Sequence, residues 1–225
     1  MSKKTSQKTS RGTSQSHNVG SESEALLGML NVQPSSLGAP VGHSQRVATY
    51  ALAIGRQLDL SAKILNDLKS AAILHDIGKV GISSQIVDKF GRLTEREFEI
   101  MRLHSTIAIR MLERIEELQD SLPMIKHHHE RFDGRGYPDG LTEHKIPLGA
   151  RIISVAETFD ILVSDVPWRD AMTLDRAVEE LKSNCGIQFD PMVVEAFIAA
   201  LKAKQLELPE DLAEQLLHTR IRGVH

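Results

Sequence analysis

The sequence predicts an all-α helical bundle. Apolar side chains recur at helical spacing from about Gly42 onward, no stretch alternates as a strand would, and cap and proline signals punctuate the helical runs. Of 225 residues, 41% are hydrophobic and 25% charged, the pattern of a soluble globular chain. A net charge of −3 argues against DNA or other general nucleic-acid binding, which needs a basic excess. One cysteine, Cys185, excludes an intrachain disulfide framework and any Cys-rich zinc site. A metal centre here has to come from carboxylates and from the ten histidines.

The elements follow in order. Residues 1–20 hold Lys3, Lys4, Lys8 and Arg11, eight Ser/Thr and no acid, so these four cations leave −7 on the rest of the chain. With so little apolar surface to bury, residues 1–38 read as a disordered basic tail. The tail has no secretory h-region and no run approaches a membrane span, which predicts a cytoplasmic protein without a membrane span. The main domain is expected over 39–203. His43, Val47, Tyr50, Ile54 and Leu58 share one face of a first helix. Ser61 caps a second, with Ile64, Leu68, Ala71, Ala72 and His75 inward. Thr94 and Glu97 form a capping-box signature for one long third helix, whose inner stripe is Met101, His104, Ala108, Met111 and Ile115. A short helix from about Ser121 leads to His127, His128 and His129. Pro147 suits the first turn of the next helix, with Ile152, Val155, Ala156 and Phe159 apolar; Thr173–Asn184 and Pro191–Lys202 supply two more. Residues 204–225 read as a helical extension after a break at Pro209.

Histidines recur on the inward faces of separate helices: His43, His75, His104, and the pair His128/His129. One such residue reads as a hydrogen-bonded core histidine. Repeated across four segments, the pattern suits imidazoles converging on a metal. Asp76 follows His75, while Glu157 and Asp160 share a helix face distinct from the apolar one, a face that on its own reads as solvated. A carboxylate bridging two cations suits in-line phosphoryl chemistry.

His75-Asp76-Ile77-Gly78-Lys79 resembles the HD signature of metal-dependent phosphohydrolases. The run His128-His129-Glu130-Arg131-Phe132-Asp133-Gly134-Arg135-Gly136-Tyr137-Pro138 resembles the HHExxDGxGYP element of the HD-GYP family. His43-Ser44-Gln45-Arg46-Val47, His104, Ile146–Ile152 and Phe189-Asp190-Pro191 match in the same order, so the resemblance covers about residues 42–200. It implies an HD-domain helical bundle with a GYP loop that hydrolyses cyclic di-GMP to pGpG and GMP. The implied metal ligands are His43, His75, Asp76, His104, His128, His129 and Glu157, with Asp76 as bridge and a metal-bridging hydroxide as nucleophile. Lys79 would contact the scissile phosphate, Arg169 a substrate phosphate, and Tyr137 a base or another hydrogen-bonding group. Iron or manganese suits such ligands. A GGDEF-domain protein is the partner the resemblance adds. Gly134 and Gly136 are expected to supply positive φ in the loop.

The match departs at three places. Ala39 stands where trinuclear relatives carry glutamate, which predicts two metals rather than three. Glu157 replaces the usual aspartate, and Val166 stands where many relatives have arginine. These last two leave open a module that binds nucleotide or a partner without turnover. A phosphohydrolase of another HD type is a further alternative, which the GYP string opposes. His17, His144, His218 and His225 match nothing and read as surface groups, and Cys185 as a packed side chain.

Overall fold

The computed structural model describes residues 42–165, 169–206, 208, 212 and 213. The tail over 1–38, Ala39, Val166, His17, His218, His225 and most of the 204–225 extension with Pro209 lie outside the described residues. Nine α-helices appear among the described residues: α1 (His43–Gln57), α2 (Ala62–Leu74), α3 (Ser84–Val87), α4 (Glu95–Arg102), α5 (His104–Leu112), α6 (Leu122–Lys126), α7 (Leu148–Leu162), α8 (Leu174–Ser183) and α9 (Pro191–Lys202). Three 3-10 turns join them, at Ile77–Gly81, Glu116–Leu118 and Glu143–Lys145. No strand forms among the described residues; an isolated bridge pairs Cys185 with Phe189. None of these helices is long and apolar enough to cross a membrane.

Helix α1 packs against α2, α7 and α9, and α7 also touches α2, α6, α8 and α9. The core between them holds Tyr50, Ile54, Leu68, Ile152, Phe159, Leu181 and Phe197, all fully buried. Local chemistry sets the helix starts. Ser61 accepts a hydrogen bond from the Ile64 backbone N–H, and Asp190 accepts from that of Met192, with Pro191 in the first turn of α9. Both halves of the Thr94/Glu97 capping box are formed.

Four expectations need correction. The long third helix is two helices, α4 and α5, broken at Leu103. After the break Leu112 is buried and Met111 is 46% exposed, so the inner stripe shifts by one residue. Ile64 is also exposed, because the first turn of α2 turns Leu65 toward Gly55 of α1. Pro147 is the N-cap of α7, one residue before its first turn. The Glu157/Asp160 face of α7, which reads as solvated only when the histidines are left aside, is buried like its apolar face, because neighbouring helices surround α7.

Candidate metal centre

Each of four histidines has its Nδ1 tied down. His75 Nδ1 lies 2.7 Å from the Ala72 carbonyl, His104 Nδ1 2.7 Å from that of Met101, and His128 Nδ1 2.6 Å from that of Ile125. His43 Nδ1 lies 2.7 Å from Asp160 Oδ2. Carbonyls and carboxylates accept, so Nδ1 donates in each ring and Nε2 is the atom turned to the interior. His104 Nε2 and His128 Nε2 then face each other at 3.4 Å with no proton between them. Two lone pairs at that distance call for a cation. His75 Nε2 and Asp76 Oδ1 are likewise buried without a hydrogen-bond partner.

The ligand atoms fall into two groups, each with all its atoms within 4.8 Å of one another: Asp76/His104/His128/His129 and His43/His75/Glu157. Asp76 faces both. Its Oδ1 is 3.7 Å from His104 Nε2, and its Oδ2 is 3.4 Å from His75 Nε2. Imidazole with carboxylate is the donor set that first-row divalent ions prefer, so these residues fit two such ions.

The backbone makes this geometry. Asp76 precedes a 3-10 turn that packs directly on α5, and a Cβ on Gly78 would overlap the carbonyl oxygen of His104. Glycine thereby lets Asp76 approach His104. One 3-10 turn later, Lys79 Nζ donates to Asp76 Oδ2 at 2.6 Å. Burial opposes the ionised form of Asp76, yet Lys79 and His75 hold its carboxyl well below the usual range. Burial pushes His128 well below the ordinary imidazole value and His129 down to about 4, keeping both neutral as ligands must be. Burial also opposes a charge on His75, but Asp76 and Glu157 outweigh it and raise the ring to about 9. Without metal, His75 therefore holds a proton where a cation would sit.

The GYP loop hangs from Glu130. This buried carboxylate accepts from the backbone N–H groups of Asp139 at 2.8 Å and Leu141 at 3.1 Å. Gly134 has the expected positive φ of 78°. Gly136 does not; it is glycine because a Cβ would overlap the backbone of Glu130 and Arg131. Tyr137 stacks on His129, with centroids 4.8 Å apart, and the Arg102 guanidinium lies 4.8 Å from the same tyrosine ring. A base stacking on Tyr137 would therefore have to compete with His129 or Arg102. Burial, with Glu157 and Asp76 nearby, raises the phenol pKa, so its proton stays on.

The structure brings together all seven expected ligands and Lys79. It engages Arg169 elsewhere: its guanidinium donates to the carbonyls of Ile161 at 2.5 Å and of Leu162 and Asp170 at 3.0 Å, closing the end of α7. His144 is exposed, as expected. The sequence reasoning missed the part played by Asp160, Arg46 and Glu130. The His43/Arg46 and Glu157/Asp160 spacings of three residues were the available signal, since such pairs share a helix face.

The HD-domain family model matches residues 29–193. A cyclic di-GMP phosphodiesterase of Thermotoga maritima is 42% identical over 158 residues, 69% of this chain and 43% of that protein. The 3'3'-cGAMP-specific phosphodiesterase 3 of Vibrio cholerae is 40% identical over 178 residues, 79% of this chain and 38% of that protein. The chain thus spans less than half the length of these curated relatives. Among solved structures, the cyclic GMP-AMP specific phosphodiesterase V-cGAP3 of V. cholerae aligns with a TM-score of 0.62 at 22% identity, over 87% of this chain and 53% of that one. Bd1817, an HDG"Y"P protein from Bdellovibrio bacteriovorus, aligns at 0.61 and 18% identity, over 82% of this chain and 63% of that one. At such identities the structures speak for a shared fold. The family model spans most of the chain and contains both the His75-Asp76 pair and the His128–Pro138 element: this chain belongs to the HD-domain family, in its HD-GYP group.

Proposed function

We propose that this chain hydrolyses a phosphodiester bond of a cyclic dinucleotide, cyclic di-GMP or 3'3'-cGAMP, at a centre of two divalent metal ions. The observation that carries the proposal is Asp76, which turns one oxygen to each ligand group across 3.7 and 3.4 Å. Asp76, His104, His128 and His129 would hold one ion and His43, His75 and Glu157 the other, with Asp76 facing both groups. Bound there, the ions supply Lewis-acid neutralisation of a phosphoryl group and water activated at neutral pH. Iron or manganese fits the donors. The names of the two relatives above support the substrate class.

The chain's own residues set up the rest. Lys79, buried against Asp76, is the cation placed to donate to a non-bridging phosphate oxygen. Asp160 orients His43 through Nδ1, and the carbonyls of Ala72, Met101 and Ile125 orient the other rings. Tyr137 braces His129 from the loop side. Glu157 reaches the His43/His75 group despite its extra methylene, so its place in the sequence does not by itself favour a binding-only module.

The test is metal analysis of anaerobically purified protein, then chromatography of cyclic di-GMP and 3'3'-cGAMP incubated with iron- or manganese-loaded protein. Two metals per chain and a linear product that disappears in Asp76→Ala are expected. Tight binding with no product would overturn the enzymatic assignment, and fewer than one metal per chain would overturn the ligand set.

A further inference from the structure

We propose that Arg102 binds the second, non-scissile phosphate of the cyclic dinucleotide. This inference rests on the phosphodiesterase assignment above and adds a residue to its substrate site.

Arg102 closes α4, and His104 opens α5 two residues later, so the break at Leu103 ties this cation to a cluster ligand. Its guanidinium lies 4.8 Å from the Tyr137 ring centroid and 5.8 Å from that of Phe98. Tyr137 in turn stacks on His129 at 4.8 Å and meets His104 edge-on at 6.4 Å. The guanidinium thus lies no farther than two stacking distances from the His129 ring. Cation–π contacts hold the flat face of an arginine and leave its in-plane N–H groups to other partners.

Arg102 has no such partner among the described residues. Arg46 pairs with Asp160, Arg131 with Asp133 and Arg151 with Asp190, while Arg169 is spent on backbone carbonyls. Arg102 forms no ion pair and no side-chain hydrogen bond, yet two aromatic rings fix its position beside the cluster. A cyclic dinucleotide carries two phosphates, and a metal centre that engages the scissile one leaves the other charge unmet. A planar guanidinium fork matches a phosphate through two parallel hydrogen bonds.

The test compares cyclic di-GMP with GpG, which keeps both guanines and one phosphodiester but has no second phosphate. Apparent affinity of the metal-loaded protein is read as KM where the dinucleotide is cleaved and as Kd by calorimetry where it is not. The wild-type preference for cyclic di-GMP over GpG should collapse by about 10- to 100-fold in Arg102→Ala, as expected for loss of a charged hydrogen bond. Arg102→Lys should recover part of it. Equal losses for both ligands would mean that Arg102 contacts a guanine or only braces Tyr137, and unchanged affinities would mean no contact; either result overturns the inference. Wild-type protein that binds cyclic di-GMP without cleaving it would sink the phosphodiesterase assignment while the Kd ratio still decides Arg102. Wild-type protein that binds neither ligand would sink both.

Discussion

The Nδ1 atom of His43 lies 2.7 Å from Oδ2 of Asp160, joining the first residue of α1 to the fourth turn of α7. The same carboxylate accepts from Arg46 Nε at 2.6 Å and from its Nη2 at 2.9 Å. Burial disfavours this charge, but His43 and Arg46 hold the Asp160 carboxyl below its usual range. Asp160 thereby fixes which nitrogen of His43 faces the cluster. Asp160→Ala should weaken divalent-metal binding about 10- to 100-fold, read by competition with a chelator. It should also cost about 1–3 kcal/mol of stability, because it strands the partners of a buried acceptor. Wild-type metal affinity in this variant would show that His43 needs no such anchor.

Much of the architecture is legible in the sequence wherever the signal is local. Ser61, the Thr94/Glu97 box and Pro191 mark helix starts through bonds made within one turn. The break at Leu103 is not legible: its φ of −68° and ψ of −17° stay near helical values, so no glycine or proline is needed and apolar spacing carries across. The seven cluster residues are legible because each sits in a short motif. Their division into two groups depends on how α1, α5 and α7 pack, which no local pattern encodes. Taken without the histidines, Asp160 reads as a solvated residue for the same reason: only the assembled bundle covers α7 on that face.

Gly78 gives a sharper test of how the site is built. A methyl group there would collide with the backbone of α5 at His104 and Ala108, not with a side chain that could swing away. Gly78→Ala should cost about 1–3 kcal/mol through overpacking. At this chain length that lowers Tm by about 2–4 °C per kcal/mol. Because the clash pushes the 3-10 turn away from α5, it should part Asp76 from His104 and lower metal occupancy even at temperatures where the variant is folded. A folded Gly78→Ala protein with full metal content would show that this approach is not what assembles the site.

Arg169 separates a substrate role from a structural one. Two of its three hydrogen bonds, to the Ile161 and Leu162 carbonyls, reach acceptors at the end of α7 that the helix leaves open, and the third goes to the neighbouring Asp170 carbonyl. Arg169→Ala should therefore lower stability by about 1–2 kcal/mol, seen in a denaturant midpoint, with KM for cyclic di-GMP unchanged. A rise in KM of tenfold or more without loss of stability would return this residue to the substrate.

Proton release on metal loading tests the charge state of the cluster. His75, raised to about 9 in the metal-free protein, carries a proton at pH 7, whereas His129, lowered to about 4, does not. The two rings act oppositely on metal-free stability. His75 contributes stability fully below its unfolded value near 6.5 and loses it as pH rises through about 9. His129 must be neutral in the fold, so its stability is intact above about 6.5 and declines as pH falls toward 4. A metal taking the His75 Nε2 lone pair has to displace the proton there. Calorimetric metal titrations near pH 7, repeated in buffers of different ionisation enthalpy, should report about one proton released from His75 per chain. Apparent metal affinity should rise by about tenfold per pH unit from 7 toward 9 and level off above it. Both the His75 proton and the slope should vanish in His75→Ala; a release that persists unchanged in that variant would remove His75 from the ligand set.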